Sequence, residues 1–114
     1  MEEVTWNISP EASSLHHEAL VWDNHTCMPL RPDDSFLPQL QRFRDAGVNV
    51  VSVNVYFDRF IKWHDGVKVL AFMRRWILDR PDDYVLIGSV EDILGAKKNG
   101  KLAVHFDIEG MEAL

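Results

Sequence analysis

The 114-residue chain has a single cysteine, Cys27, so it cannot form an internal disulfide. Nothing in its cysteine content therefore requires an oxidising compartment. Basic residues are also few, because 12 lysines and arginines face 18 aspartates and glutamates and give a formal net charge of −6. They are scattered along the sequence, whereas a nucleic-acid-binding protein needs clustered basic residues to neutralise phosphates. We therefore expect no nucleic acid as a partner.

Long apolar runs are absent too. None approaches the roughly 20 residues that a membrane-spanning helix needs, so we expect no membrane span. The first seven residues are acidic and lack the basic and apolar regions of a secretory signal. From these features we expect a cytoplasmic protein.

The chain is rich in residues that form a core. Apolar residues make up 46% of it and aromatic residues 11%, which is too much for a disordered segment. Its length suits one domain. Residues 1–18 show no clear period and are predicted to be an irregular lead-in or a short helix, so we expect the folded domain to cover residues 19–114.

Three apolar runs predict buried strands. Residues 19–22, 48–57 and 102–108 are apolar at most positions, and the second run is dense in β-branched residues. Helical spacing of apolar residues lies between these runs. The three predicted helices begin after Ser35, Gly66 and Ser89 and end before Gly47, Pro81 and Gly100. Residues 84–87 are predicted to be a short connecting element. This alternation predicts an α/β architecture with parallel strands, either a barrel or a doubly wound sheet.

Two polar clusters follow predicted strands, at the end where α/β proteins place their active sites. Asp23, His25 and Cys27 would point the same way in a regular strand, and so would Asp107 and Glu109. Carboxylate, imidazole and thiol groups are all metal ligands. On spacing alone, His25 also fits a buried, hydrogen-bonded imidazole and Cys27 a small core residue.

Five short motifs occur in one order along the chain. They are Asp-Asn-His-Thr-Cys-Met-Pro at 23–29, Asp-Ala-Gly-Val at 45–48, Ser-Val-Glu-Asp-Ile at 89–93, Gly-Lys-Leu-Ala at 100–103 and Phe-Asp-Ile-Glu-Gly at 106–110. In this order they resemble the motifs of the membrane (renal) dipeptidase family, which run from Asp-Gly-His-Asn-Asp-x-Pro at the first strand to Glu-Gly at the end of a later one. The resemblance covers roughly residues 20 to 114.

The resemblance implies a (β/α) TIM-type barrel that hydrolyses dipeptides at a pair of zinc ions. It implies His25 as one metal ligand and Glu109 as the carboxylate that bridges the two metals. Where the family has His-x-Asp this chain has His25-x-Cys27, so Cys27 is the third candidate ligand, with a softer and longer bond to zinc.

The family's other ligands lie on later strands. The resemblance therefore implies that this chain is an N-terminal piece with the first three parallel strands of the barrel and their helices. We expect it to be weak or inert alone, and we assign no catalytic residue.

Two alternatives remain open from the residues. The chain could be a non-catalytic α/β module whose open sheet edges pair with a second copy or with the missing part of a barrel. Alternatively, Cys27 could be a nucleophile beside His25.

Four further polar residues or pairs deserve an interpretation. We interpret His105 as a core histidine or a partner of a metal ligand, and His16-His17 as solvated. Asp65 is predicted to cap the second helix. Tyr56 and Asp58 are predicted to line a substrate pocket.

Overall fold

The structure is a computed structural model that describes residues 6–114. In chain order its elements are α1 (Pro10–Glu18), β1 (Trp22–Thr26), a short 3-10 helix (Leu37–Gln39), α2 (Leu40–Asp45), β2 (Val50–Phe57), α3 (Trp63–Leu78), β3 (Tyr84–Leu86), α4 (Val90–Lys98) and β4 (Leu102–Glu109). Within this part of the chain the four strands are parallel and form one open sheet in the order β1-β2-β4-β3. The predicted α/β architecture with parallel strands is confirmed.

Strands β1, β2 and β4 are neighbours and correspond to the three predicted strands, but β1 begins at Trp22, the last residue of the predicted run at 19–22. The structure adds β3 at the edge. The sequence predicts a connecting element at residues 84–87. Three of them form β3, which pairs with the first half of β4, Tyr84 opposite Leu102 and Leu86 opposite Val104. A run this short shows no periodicity, so only the neighbouring strand reveals it.

The lead-in contains a helix, the second of the two descriptions that the sequence allowed. Helix α1 has Pro10 in its first turn, and the Ser9 hydroxyl accepts a hydrogen bond from the Ala12 N–H. None of its residues is buried. Residues 1–5 of the predicted lead-in lie outside the described residues.

Two predicted helix starts differ from the structure. The Asp33 carboxylate accepts hydrogen bonds from Ser35, which lower the pKa of Asp33, and the helical segment begins only at Leu37. Helix α3 begins at Trp63, so Asp65 lies inside its first turn and is not its N-cap. The capping box that starts α4, between Ser89 and Asp92, is confirmed.

The main core lies on one side of the sheet, beneath α3 and the 3-10 helix. Its buried residues are Leu37, Leu40, Val51, Val53, Val55, Val69, Met73, Trp76, Ile77, Tyr84, Leu102 and Val104. A smaller cluster on the other side packs α4 against the sheet through Val50, Ile93, Ala96 and Ala103. None of the helices in residues 6–114 has the length and apolar character needed to cross a membrane.

Candidate functional site

The ends of β1 and β4 meet across the end of β2. In β1 the pairing with β2 shifts between Asp23 and Thr26, so that three steps along β1 match two along β2. This bulge breaks the expected alternation. The Asp23 carboxylate therefore does not join the groups around the His25 ring. It accepts a hydrogen bond from the His25 backbone N–H at 3.1 Å, and Asp23 lines a separate cavity beside Arg42 and Phe43.

His25 is the centre of the site. Its Nδ1 lies 3.0 Å from Asp107 Oδ1, and its Nε2 lies 3.3 Å from Glu109 Oε2. Cys27 Sγ lies 3.6 Å from the same Nε2. The structure therefore brings together all three predicted metal ligands, His25, Cys27 and Glu109, and adds Asp107. The His25 and Glu109 side chains are nearly half exposed, and Cys27 is exposed, so neither His25 nor Cys27 is the core residue that spacing alone also allowed.

Asn54 fixes the position of Asp107. The Asn54 amide, 2% exposed, donates to Asp107 Oδ1 at 2.9 Å and to the Tyr56 carbonyl oxygen at 3.0 Å. The other oxygen, Asp107 Oδ2, is buried and has no hydrogen-bond partner within the described residues. A buried carboxylate oxygen without a donor is costly, so this oxygen marks a place for a cation or a water molecule.

The ligand set fits part of a zinc site. Zinc bonds of about 2.0–2.3 Å in a tetrahedron hold the ligand atoms roughly 3.3–3.8 Å apart. The distances from His25 Nε2 to Glu109 Oε2, 3.3 Å, and to Cys27 Sγ, 3.6 Å, match these edges. Within residues 6–114, however, no three His, Cys, Asp or Glu side chains are arranged as a ready metal cluster. The described residues thus supply some of the ligands of a zinc site, at suitable distances from the His25 ring, but not a complete ligand set.

Asp58 holds the turn that follows Glu109. Its carboxylate accepts the backbone N–H groups of Met111 at 2.7 Å and Glu112 at 3.1 Å, and its own N–H donates to the Glu109 carbonyl at 3.1 Å. Gly110, with φ of +100°, leaves the carboxylate the space that a Cβ would occupy. Asp58 therefore positions Glu109 instead of lining a pocket.

Tyr56 does not line a pocket either. It is 2% exposed, its ring meets Trp63 edge-on with centroids 5.1 Å apart, and it packs closely on Gly66. Burial and the neighbouring Asp58 carboxylate raise the pKa of the phenol above its ordinary value. The prediction for Tyr56 is wrong because the ring turns toward α3.

An apolar cavity of about 370 Å³ adjoins the site. It reaches Cys27 and Glu109, and its remaining lining is Met28, Pro29, Leu30, Asn54, Phe57 and Phe60. Phe57 is the last residue of β2 and Phe60 lies three residues beyond it, so the sequence indicates only the end of an apolar strand there. The signal that could have identified them is a pair of phenylalanines at the carboxyl end of a buried strand, where the predicted site lies.

His105 lies on the same face of the sheet as the site, two residues before Asp107 along β4. It is exposed, and its Nδ1 lies 3.2 Å from the Ser52 hydroxyl, which also receives the Trp22 N–H at 3.4 Å. It is therefore not a core histidine. No contact within the described residues joins it to His25 or Glu109.

Together these features define the class of fold, an α/β fold whose open parallel sheet is consistent with part of a (β/α) barrel. Among solved structures, the crystal structure of an amidohydrolase from Pseudomonas aeruginosa is similar to 82% of this chain, with a TM-score of 0.67 and 19% sequence identity. The match covers 27% of that protein, so the chain spans about a quarter of its structural relative. No family model and no curated protein sequence matches the chain. At this identity the likeness shows the fold alone and does not single out the membrane dipeptidase family.

Proposed function

We propose that this chain is the N-terminal part of a zinc-dependent dipeptidase and that His25, Cys27 and Glu109 belong to its metal centre. The observation that carries the proposal is the 3.3 Å approach of His25 Nε2 to Glu109 Oε2, two side chains from strands far apart in sequence. The resemblance of the motifs around both residues supports the dipeptide substrate, and the amidohydrolase-like fold supports hydrolysis.

Each residue has a distinct role in this proposal. His25 offers Nε2 to one ion while Asp107 accepts the Nδ1 proton, which fixes the tautomer and the orientation of the ring. Glu109 would hold the metal through its carboxylate, which Asp58 keeps in place through the following turn. Bound zinc would polarise the scissile carbonyl and supply hydroxide near neutral pH.

We propose the apolar cavity as the binding site for a side chain of the substrate. Its lining by Leu30, Phe57 and Phe60 favours an apolar residue of the dipeptide, next to Glu109.

Zinc titration by calorimetry, combined with a dipeptidase assay, tests the centre. We expect one zinc ion per chain, bound weakly, and no turnover, because within the described residues only His25, Cys27 and Glu109, with Asp107 beside them, come together as ligands. His25→Ala should abolish the binding. His105→Ala is the matched control, an exposed histidine on the same face that should leave the binding unchanged.

Absence of zinc binding by the unaltered chain would refute the metal centre. Tight binding of two zinc ions with dipeptide turnover would instead refute the expectation that the chain is inert alone.

A second candidate function has its own observation. The His25 ring lies between a thiol and a carboxylate: Nε2 is 3.6 Å from Cys27 Sγ, and Nδ1 is 3.0 Å from Asp107 Oδ1. This is the arrangement of a nucleophilic thiol, a base and an acid that orients the base. A single exposed thiol suits the reducing cytoplasm, where we place the protein.

Alkylation with iodoacetamide at neutral pH separates the two functions. A nucleophilic Cys27 should react faster than free cysteine, and His25→Ala should remove the advantage. If Cys27 is a metal ligand instead, its thiol should react with iodoacetamide at the rate of free cysteine, and added zinc should slow the reaction.

The open sheet supplies a surface for a partner. β3 pairs only with residues 102–104, so the outer edge of β4 beyond them has no strand within residues 6–114, and neither has the outer edge of β1. We propose that a second copy or the remaining part of a barrel covers these edges. A concentration-independent monomer in size-exclusion chromatography would argue against self-association.

A further inference from the structure

A third cavity, of about 500 Å³, lies at the opposite end of the sheet from the candidate metal centre. Helix α1, the turn between α2 and β2, and the segment that joins α4 to β4 form its walls. Its lining is Ser13, His16, His17, Arg44, Asp45, Ala46, Gly47, Val48, Asn49, Lys97, Lys98, Gly100 and Lys101. The eight residues of β2 separate it from Glu109 by roughly 23 Å, so the two sites are distinct.

We propose that this cavity binds a phosphate-type oxyanion, either free or carried on a small molecule. Four of the chain's 12 lysines and arginines line it, against one of its 18 acidic residues. Of these four, Arg44 is ion-paired with Asp83 outside the lining, and Lys101 donates to the Pro81 carbonyl at 2.7 Å. The whole chain carries a net charge of −6, so this concentration of positive charge runs against its average. A concave surface lined by one sign of charge focuses the field and attracts the opposite charge.

Some of these cations are already bound to the protein. The Lys97 ammonium lies within hydrogen-bond distance of three acceptors, the His17 carbonyl at 3.0 Å, the Ala19 carbonyl at 2.7 Å and Asn49 Oδ1 at 3.4 Å. With three protons and three acceptors, Lys97 is satisfied and fastens α1 to the sheet. It contributes charge to the cavity but no free donor.

Other donors remain for a ligand. Lys98 and the His17 ring make no hydrogen bond or ion pair within the described part of the chain, and both line the cavity. Arg44 gives Nη1 to Asp83 and Nε to the Gly100 carbonyl, which leaves three of its five N–H groups unused. A guanidinium with unused N–H groups and a free ammonium on the wall of one cavity are groups that bind phosphate oxygens well.

The size of the cavity indicates more than a bare anion. A volume of about 500 Å³ lies within the usual range for small-molecule sites, roughly 300–1,000 Å³. Ser13 and Asn49 add neutral polar groups to the lining, which suit hydroxyl groups next to a phosphate. A sugar phosphate is therefore a suitable probe, and inorganic phosphate tests the free anion.

An NMR titration of the 114-residue chain tests the proposal, with glucose 6-phosphate, inorganic phosphate and glucose as probes. We expect saturable shifts of the amide signals of Gly47, Lys98 and Gly100 with at least one phosphate, and none with glucose. Lys98→Glu should weaken the binding about tenfold, since it turns an attraction into a repulsion. Lys68→Glu, the same charge reversal on an exposed face of α3, should leave it unchanged.

The two phosphate titrations identify the source of the anion. Tighter binding of glucose 6-phosphate would assign the site to a phosphorylated small molecule, and equal or tighter binding of inorganic phosphate would assign it to the free ion. Shifts that do not saturate, or equal weakening by the Lys98 and Lys68 variants, would overturn the site, since both indicate attraction to charge in general. Lys98→Ala, which keeps a good helix former, guards against a folding defect and should weaken the binding by a smaller factor.

Discussion

The two faces of the sheet are built from alternate residues of the same strands, yet one packs into the core and the other carries polar side chains. On the face beneath α3, which we call the covered face, Val51, Val53 and Val55 are at most 2% exposed. On the other, which we call the open face, Ser52 and Asn54 of the same strand reach the polar side chains of β4. The covered face therefore holds the fold together, and the open face holds the groups that can do chemistry.

The open face itself changes along the strands. At the amino end α4 packs on Val50 and Ala103, and both are fully buried. Toward the carboxyl end no helix covers it within residues 6–114, and the side chains of His25 and Glu109 are 44% and 47% exposed. In a closed barrel such a face would point inward, where polar side chains at the carboxyl ends of the strands form the active site. The contrast predicts that stability and function can be altered separately.

The largest effect should come from truncating the core of the covered face. Leu102→Ala removes a side chain that is fully buried, and we expect it to lower the free energy of unfolding by about 2–5 kcal/mol. Ile108→Ala, in the same strand but 38% exposed, should cost about 1 kcal/mol or less. Urea denaturation of both variants measures the difference. Equal losses would mean that the end of β4 is as well packed as its beginning.

A smaller effect should follow from filling the space beside Asp58. Gly110→Ala places a methyl group against the Asp58 carboxylate at a φ of +100°, so we expect a loss of about 1–3 kcal/mol and a looser turn after Glu109. Gly95→Ala is the matched control. Its helical site has no other atom within 4 Å, so it should gain about 0.5–1 kcal/mol. Thermal unfolding would show opposite shifts, and a tolerated Gly110→Ala would show that the turn adapts.

The sequence predicted the parts of the fold that local chemistry determines. The β-branched run at 50–57 and the capping box at Ser89 specify a strand and a helix start without help from distant residues. β3 could not be predicted in this way, because three residues become a strand only when β4 offers its edge.

The candidate site was predictable only in part. His25 and Glu109 follow apolar runs, and parallel strands bring such ends together. The exclusion of Asp23 was not predictable, because it depends on a bulge in β1 that alternation does not reveal. The buried Asn54 looked like one polar interruption in a core strand, and its role depends on the register that places it opposite Asp107. The basic cavity escaped notice because its residues come from three separate segments.

The smallest effect should come from the middle of the open face. His105→Ala removes the partner of the Ser52 hydroxyl, which keeps the Trp22 N–H at 3.4 Å, so we expect a loss of about 0.5–1 kcal/mol. The measurement is again the free energy of unfolding, taken at two protein concentrations. A loss as large as that of Leu102→Ala, and larger at the higher concentration, would mean that a second copy buries the open face in solution. The comparison between the faces would then describe the isolated chain but not the protein as it assembles.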